Sequence, residues 1–159
     1  MTDKTNASRR DFLKGTTVAA GLAVASQISI ARTAHAAGSD VIKAALIGCG
    51  GRGNGAIEDS LNADPGVKVI AVADAFEDRA TGTARRLREK RKDRIDLPDD
   101  RVFFGLDAFD KAIAAGADLI ITATPPGFRP MIYAAAIAAG KHVFMEKPCC
   151  VDAPGYQKL

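Results

Sequence analysis

Short apolar runs alternate with longer segments of helical periodicity between residues 41 and 145. The runs are rich in β-branched residues and have the length of buried strands, whereas the longer segments repeat apolar residues at helical spacing. The predicted strands are Val41–Ile47, Val67–Ala73, Val102–Phe104, Asp118–Thr122 and His142–Met145. The predicted helices are Arg52–Asn62, Glu77–Arg94, Ala108–Ala115 and Arg129–Ala139, with a loop over Ile95–Arg101.

Residues that begin or end elements stand between these segments. Asp64-Pro65-Gly66 and Pro125-Pro126-Gly127 are typical of turns. Gly140 suits a helix C-terminus, and Asp107 suits a helix N-cap. Strands that alternate with helices predict a parallel sheet covered on both faces. Because the crossovers in such a sheet are right-handed, we expect an α/β fold with a doubly wound parallel sheet.

The first 36 residues have the pattern of an export signal. Ser8–Lys14 contains the adjacent Arg9 and Arg10, Gly15–Ala31 is moderately apolar, and Ala34-His35-Ala36 matches an A-x-A cleavage site. The alternatives are a short buried helix and a membrane anchor, but the apolar segment is shorter than the roughly 18–20 residues of a spanning helix. The pattern therefore predicts export of the folded protein to the periplasm by the twin-arginine machinery.

The positive net charge of the chain comes entirely from this segment. The whole chain has a formal charge of +3, but the first 36 residues hold five Lys/Arg and two Asp. The remaining residues carry 17 basic and 17 acidic side chains, so their formal charge is zero. This balance gives no reason to expect nucleic acid or an anionic membrane as a partner.

The helix predicted over Glu77–Arg94 nevertheless carries a run of basic side chains. The alternatives are a solvated helix face and a binding patch for an anionic partner, and we expect the solvated face. The run consists of Arg85, Arg86, Arg88, Lys90, Arg91, Lys92 and Arg94.

The three cysteines are Cys49, Cys149 and Cys150. Cys49 lies within a glycine-rich turn that favours a small apolar residue. A bridge between the adjacent Cys149 and Cys150 would be strained. Since no Cys/His ligand spacing is present either, we expect neither a disulfide framework nor a metal site.

A glycine-rich segment follows the first predicted strand and opens the first helix. Gly48-Cys49-Gly50-Gly51-Arg52-Gly53 has the G-x-G-x-x-G spacing of a Rossmann dinucleotide-binding turn. In such a turn the glycines permit a tight bend, close approach of a diphosphate and helix–strand packing, while the helix amides face the anion. We therefore expect Gly48, Gly50, Gly51, Arg52 and Gly53 to bind a nicotinamide dinucleotide. The alternative is a glycine-rich turn without a ligand. A P-loop is excluded because Asn54-Gly55 stands where Gly-Lys-Ser/Thr is required.

Asp74 ends the second predicted strand. A carboxylate in this position can accept hydrogen bonds from the hydroxyls of the adenosine ribose and repels a 2′-phosphate. This favours NAD over NADP, although Arg52 or Arg79 could bind a 2′-phosphate and leave NADP possible. An acid that caps the next helix is the structural alternative, and it is compatible with the ribose role.

Three motifs together resemble one protein family. They are Gly48–Gly53, Thr122–Pro126 (TATPP) and Gly140–Pro148 (GKHVFMEKP). In order and spacing they are similar to the landmarks of the glucose–fructose oxidoreductase, inositol dehydrogenase and rhizopine-catabolism family (Gfo/Idh/MocA). The resemblance extends from residue 41 to about residue 159.

The resemblance implies roles for residues in the second and third motifs. Thr124 and Pro125 would line the cofactor near the nicotinamide-side ribose, and Glu146 would lie where the nicotinamide is expected. Lys147 would face the substrate as the catalytic residue, because an ammonium stabilises the alkoxide that develops when an alcohol loses hydride. Without the resemblance, Lys147 would be an ordinary exposed lysine. His142, which begins a strand, is expected to be a packed or surface imidazole.

The resemblance also implies parts of the protein that these 159 residues do not contain. Members of this family continue into a second α/β domain that forms the substrate pocket, the oligomer interface and an acid/base pair. We therefore expect a signal peptide over 1–36, a Rossmann domain over 37–150 and the start of a second domain over 151–159. The chain would then be a fragment or a truncated product of a homo-oligomeric parent.

Three functional hypotheses follow from these expectations. The first is an exported NAD(P)-dependent oxidoreductase that acts on a sugar, cyclitol or related polyol. The second is a glycosidase that uses tightly held NAD for a transient oxidation of the sugar. The third is a non-catalytic nucleotide-binding remnant or sensor.

Overall fold

A computed structural model describes residues 41–159, and in this part of the chain five strands form one parallel sheet. The spatial order is β3-β2-β1-β4-β5, and every neighbouring pair is parallel. The predicted α/β class with a doubly wound parallel sheet is confirmed. The strands are β1 (Ile42–Ile47), β2 (Val67–Asp74), β3 (Val102–Phe104), β4 (Leu119–Thr122) and β5 (His142–Met145).

Helices connect the strands and cover the two faces of the sheet. Single 3₁₀ turns at Lys92–Arg94 and Asp99–Arg101 lie between the second helix and β3. The α-helices are α1 (Gly51–Ala63), α2 (Glu77–Lys90), α3 (Ala108–Ala114), α4 (Arg129–Ala138) and α5 (Ala153–Tyr156).

The core has two parts because successive side chains of a strand point to opposite faces. On one face Leu46 of β1 packs in a cluster with Ile57 of α1 and Leu87 of α2. On the other face Ile47 packs in a cluster with Ile113 of α3 and Ile132 of α4. Since β1 lies in the centre of the sheet, its last four residues are all buried.

The order of the strands creates a crevice at one edge of the sheet. From β1 the chain proceeds to β2 and β3 on one side, and it then returns to place β4 and β5 on the other side. The connections that follow β1 and β4 therefore run in opposite directions at the carboxyl ends of adjacent strands. Ligands of open α/β sheets bind at such a switch point.

The helix predicted over Glu77–Arg94 is wrong at its C-terminal end. Helix α2 ends at Lys90, because Arg91 adopts φ −134° and ψ 43° and leaves the helical region. The side chain of Arg94 then holds the chain in place by donating hydrogen bonds to the carbonyls of Asp64 and Val67, at 2.6 and 2.8 Å.

The expectation of a solvated basic face is also wrong for four of the seven side chains. Arg86 and Arg91 of this run form ion pairs with Glu58 of α1, at 3.1 and 3.0 Å. Arg88 donates to the carbonyl of Leu97 at 2.7 Å and Arg94 binds carbonyls as described above. These half-buried arginines fasten α2 and the following turn to their neighbours. Arg85, Lys90 and Lys92 are exposed as expected.

Gly140 ends α4 as the sequence predicts. Gly140 has φ +68°, and its amide donates a hydrogen bond to the carbonyl of Ile137. The amide of Lys141 donates to the carbonyl of Ala136. These two bonds form the Schellman motif, which favours glycine because of its positive φ. Asp107 stands at the N-cap of α3, but its side chain forms an ion pair with Lys111 in place of the expected cap.

The predicted signal peptide lies outside the described residues. Within residues 41–159, no helix has both the length and the apolar character needed to cross a membrane. The domain boundary predicted at residue 150 stays a prediction.

Candidate functional site

The carboxyl ends of β1, β2 and β4 surround a crevice with a volume of about 850 Å³. Its size is that of a pocket for a small molecule or cofactor. The structure thus brings together seven of the ten residues that sequence reasoning assigned to the site. They are Gly48, Gly50, Gly51, Arg52, Asp74, Thr124 and Pro125.

Two glycines of the turn are required by the protein itself. Gly48 has φ +97°, and a Cβ on it would lie 2.8 Å from the backbone nitrogen of Thr124. A Cβ on Gly53 would lie 1.8 Å from the carbonyl oxygen of Gly48. The start of α1 thus lies directly against the ends of β1 and β4. Both glycines set the geometry of this strand-to-helix turn, which we call the glycine elbow.

The other two glycines leave space that the protein does not use. A Cβ on Gly50 or on Gly51 would meet nothing within 4 Å. Gly50 has an ordinary extended backbone, with φ −72° and ψ −178°, so its conformation does not require glycine. An open space at this position fits a ligand that approaches the backbone closely.

The first turn of α1 faces this space with amides that lack helical acceptors. The N-cap residue, Gly50, has no side chain that could cap these amides. The first hydrogen bond of the helix runs from the Asn54 amide to the Gly50 carbonyl at 2.9 Å. The amides of Gly51, Arg52 and Gly53 are therefore available, and the helix dipole favours an anion in front of them. The residues present fit a diphosphate.

Asp74 is held at the end of β2 by two backbone amides. Its Oδ2 accepts from Cys49 at 2.7 Å and its Oδ1 accepts from Phe76 at 3.0 Å. Phe76 is the N-cap residue of α2, so Asp74 does not bind the first-turn amides as a helix cap would. Each carboxylate oxygen keeps a second lone pair that can accept a further hydrogen bond at the crevice.

Cys49 is a structural residue of the turn. Burial, reinforced by the negative charge of Asp74, raises the pKa of its thiol to about 12. The thiol therefore stays protonated, and its Sγ lies 3.5 Å from the carbonyl oxygen of Ala73. A thiol in this state is not a nucleophile.

An aromatic–cation pair borders the Asp74 side of the crevice. The guanidinium of Arg79 lies 4.9 Å from the centroid of the Phe76 ring, and both residues line the crevice. Phe76 is 58% exposed, so its ring adds an apolar surface beside Asp74. Sequence reasoning noted Arg79 but missed Phe76, because its stacking depends on the turn that Asp74 holds.

Glu146 lies at the end of β5 and is bound to Arg52 of the glycine-rich turn. Nε of Arg52 donates to Oε1 of Glu146 at 2.6 Å, and its Nη2 forms an ion pair with the same oxygen. The hydrogen bond from Arg52 holds the pKa of Glu146 below its ordinary value of 4.5. The structure thus joins two predicted site residues to each other, and Glu146 does not itself line the crevice.

Lys147 is exposed next to this ion pair. It makes no ion pair with any side chain of residues 41–159. His142 begins the edge strand β5 and is exposed, in line with a surface imidazole.

Arg129 is a residue of the site that sequence reasoning missed. It is only 6% exposed, and it lines the crevice at the start of α4. Its Nε donates to the carbonyl of Thr124 at 2.7 Å, and its Nη1 donates to the carbonyls of Glu146 and Pro148 at 2.6 and 2.5 Å. The available signal was a cation in the first turn of an apolar helix, where the helix dipole disfavours it.

The described part of the chain contains no group of three or more His, Cys, Asp or Glu side chains that could hold a metal ion. Cys49, Cys149 and Cys150 are free thiols.

The fold and this site define a dinucleotide-binding domain of the Rossmann class. A sequence profile of Gfo/Idh/MocA, described as an oxidoreductase family with an NAD-binding Rossmann fold, matches residues 42–159. This match covers well over half of the chain, so the chain belongs to the Gfo/Idh/MocA family. The expected cofactor class, NAD, is thereby confirmed.

Solved structures share the fold at low sequence identity. Myo-inositol dehydrogenase from Lactobacillus casei, in complex with NAD(H) and myo-inositol, is 20% identical with a TM-score of 0.62, covering 74% of this chain and 32% of that one. GenD2 from gentamicin A biosynthesis, in complex with NAD, is 26% identical with a TM-score of 0.57, covering 76% and 30%. The WlbA dehydrogenase from Chromobacterium violaceum, in complex with NADH and UDP-GlcNAcA, is 23% identical with a TM-score of 0.52, covering 76% and 31%.

None of the curated proteins matches this chain. The chain spans about a third of the length of the solved structures that it resembles.

Replacing Gly50 with valine tests whether the open space belongs to a ligand. The backbone of Gly50 accepts valine and a Cβ there meets no protein atom within 4 Å, so we expect Gly50→Val to keep the thermal stability of the protein. Its side chain would enter the space for the diphosphate. We expect the Kd for NAD to rise at least about 100-fold, or about 2.8 kcal/mol, in isothermal titration calorimetry.

Gly82→Val is the matched control, because Gly82 lies on α2 away from this crevice and a Cβ there also meets nothing within 4 Å. A folded Gly50→Val protein that binds NAD as tightly as the unsubstituted protein would show that the space is not the dinucleotide site.

Replacing Arg52 with glutamine should raise the pKa of Glu146. With Arg52 present, the folded-state pKa of Glu146 lies below 4.5, so the pair stabilises the fold at neutral pH. This stabilisation is lost as the pH falls from about 4.5 through the lowered folded-state value. Carboxyl ¹³C NMR titration measures the change, and Arg79→Gln is the control for loss of a nearby charge. The same Glu146 midpoint in both variants would contradict the assignment.

Proposed function

We propose that this chain is the cofactor-binding part of an exported oxidoreductase. The enzyme transfers hydride between NAD and a hydroxyl-bearing carbon of a sugar, cyclitol or related polyol. The observation that carries the proposal is the crevice in which unpaired helix amides, Asp74 and Thr124 meet at the strand-order switch. Membership of an oxidoreductase family supports the reaction class, and the complexes of relatives with myo-inositol and UDP-GlcNAcA support the substrate class.

In this proposal, different residues of the crevice contact different parts of the dinucleotide. The amides of Gly51, Arg52 and Gly53 hold the diphosphate, with the open space at Gly50 allowing its approach. Asp74 accepts hydrogen bonds from the adenosine ribose, which favours NAD over NADP. Thr124 and Pro125 then line the cofactor on the nicotinamide side, at the carboxyl end of β4.

Lys147 stabilises the reacting hydroxyl in this proposal. A bound nicotinamide supplies the hydride acceptor or donor. When the substrate carbon loses hydride, its hydroxyl must also lose a proton to become a carbonyl, and this proton passes to the acid/base pair that we propose for a second domain. The Nζ of Lys147 binds the hydroxyl oxygen and stabilises the negative charge that develops there. An exposed lysine next to the β5 end has the reach and freedom to contact a substrate.

Further parts of the function depend on the parent protein. We propose that a second domain supplies the substrate pocket and an acid/base pair, and that the parent is a homo-oligomer. The share of the relatives that this chain covers, about a third, is consistent with a cofactor domain followed by such a part.

Replacing Lys147 with methionine in the full-length protein tests the catalytic assignment. We expect kcat for polyol oxidation, followed by NADH absorbance, to fall by about 10²- to 10³-fold because the cation that stabilises the developing alkoxide is lost. The Kd for NAD should be unchanged, because Lys147 lies outside the crevice lining. Lys141→Met, at a lysine just before β5, is the matched control. Equal turnover by Lys147→Met and Lys141→Met would overturn the assignment.

Replacing both Arg9 and Arg10 with lysine tests export. The charge of the segment is kept but the twin-arginine pair is lost, so we expect the protein to stay in the cytoplasm. Immunoblots of periplasmic and cytoplasmic fractions measure the distribution. Arg32→Lys is the control within the same segment, and periplasmic protein from the double variant would refute twin-arginine export.

A further inference from the structure

We propose that Arg129 is a positioning residue that holds Lys147 in place relative to the cofactor loop. This inference rests on the proposed function, in which Lys147 contacts the substrate. It adds a residue that neither the glycine-rich turn nor the family motifs named in the sequence analysis include.

The guanidinium of Arg129 binds the chain on both sides of Lys147. Its Nη1 donates to the carbonyl oxygens of Glu146 and Pro148, at 2.6 and 2.5 Å. Two carbonyls that flank one residue therefore converge on a single nitrogen. Lys147 cannot rotate its backbone without breaking at least one of these bonds, although its own side chain is exposed.

The same guanidinium also holds the loop after β4. Its Nε donates to the carbonyl oxygen of Thr124 at 2.7 Å. Thr124 lies at the crevice, so one rigid planar group spans the predicted nicotinamide side of the site and the backbone of Lys147. Because the guanidinium has a fixed fork of donors, the spacing between these two segments is fixed with it.

The surroundings of Arg129 do not explain it as an ordinary ion pair or helix residue. It forms no ion pair with the acidic side chains of residues 41–159, and its charge is directed at three carbonyls. It also stands in the first turn of α4, where the helix dipole disfavours a cation. A buried cation at an unfavourable end of a helix indicates a role in the site rather than in helix stability.

Arg94 provides an internal comparison. It too donates to backbone carbonyls, those of Asp64 and Val67, at 2.6 and 2.8 Å. Val67 is the first residue of β2, so these bonds lie at the amino end of the sheet, opposite the crevice. Arg94→Met therefore removes a comparable backbone attachment without touching the site.

Hydrogen–deuterium exchange of the cofactor-free protein tests the attachment directly. We expect Arg129→Met to accelerate exchange in a peptide that covers residues 145–152, and we expect Arg94→Met to leave that peptide unchanged. Arg129→Lys keeps the charge but lacks the planar fork, so it should accelerate exchange in the same peptide. This variant carries the test if Arg129→Met does not fold. Unchanged exchange in this peptide would overturn the proposal.

Turnover of the full-length protein tests the consequence for chemistry. In Arg129→Met, a misplaced Lys147 should lower kcat about 100-fold. The Kd for NAD should change less than about tenfold, because the α1 amides that bind the diphosphate in our proposal are unchanged. Arg94→Met should lower neither value, even where it lowers the melting temperature. Equal kcat in the two folded variants, or an effect of Arg129→Met on NAD affinity alone, would overturn the positioning role.

The two readouts separate this proposal from the proposed function. If the unsubstituted full-length protein binds NAD but turns over no polyol, the proposed function fails, and the exchange data still decide whether Arg129 holds the segment around Lys147. If the protein is active and the exchange data are negative, the proposed function stands and this inference fails.

Discussion

The helix α1 and the ends of β1 and β4 meet at a distance that only glycine allows. A Cβ on Gly53 would lie 1.8 Å from the Gly48 carbonyl oxygen, and one on Gly48 would lie 2.8 Å from the Thr124 nitrogen. The Gly48 amide also binds the Ala73 carbonyl at 2.8 Å, so the elbow joins three strands. This steric constraint directs the unpaired amides of α1 into the crevice. Asp74 and Thr124 take up their places beside those amides because their strands are bound to the same elbow.

Local patterns carry most of the information on the fold. The five strands and four of the helices were predictable because apolar periodicity and turn residues act within a few positions of each other. The glycine elbow was predictable because its spacing and its place between a strand and a helix are local as well. The end of α2 was not, since Arg94 holds that turn through carbonyls of residues about 30 positions earlier. The contacts of Arg129 with Glu146 and Pro148 could not be predicted from the sequence either, because they form only once β5 lies beside β4.

The basic residues of α2 show why composition alone says little about partners. Their density suggests an anionic ligand, yet Arg86 and Arg91 are both paired with Glu58 on the neighbouring helix. Half-exposed pairs of this kind contribute about 0–1 kcal/mol each, so their main effect is to fix how the two helices lie together. The arginines that line the crevice are Arg52, Arg79 and Arg129, which are separated along the chain and are not part of the run.

The two ends of the crevice are built in physically different ways. The proposed diphosphate end consists of backbone amides and of glycines without side chains within one short segment, so its geometry is set by sterics and does not depend on protonation. The proposed nicotinamide end is assembled from segments around Thr124, Arg129 and Glu146, which side chains hold together by charge-assisted hydrogen bonds. A change at the first end should therefore act on cofactor affinity. A change at the second end shifts groups relative to each other, and it should act on the reaction because hydride transfer tolerates little misplacement. In the proposed function, one fold thus separates cofactor binding from the alignment of the reacting groups.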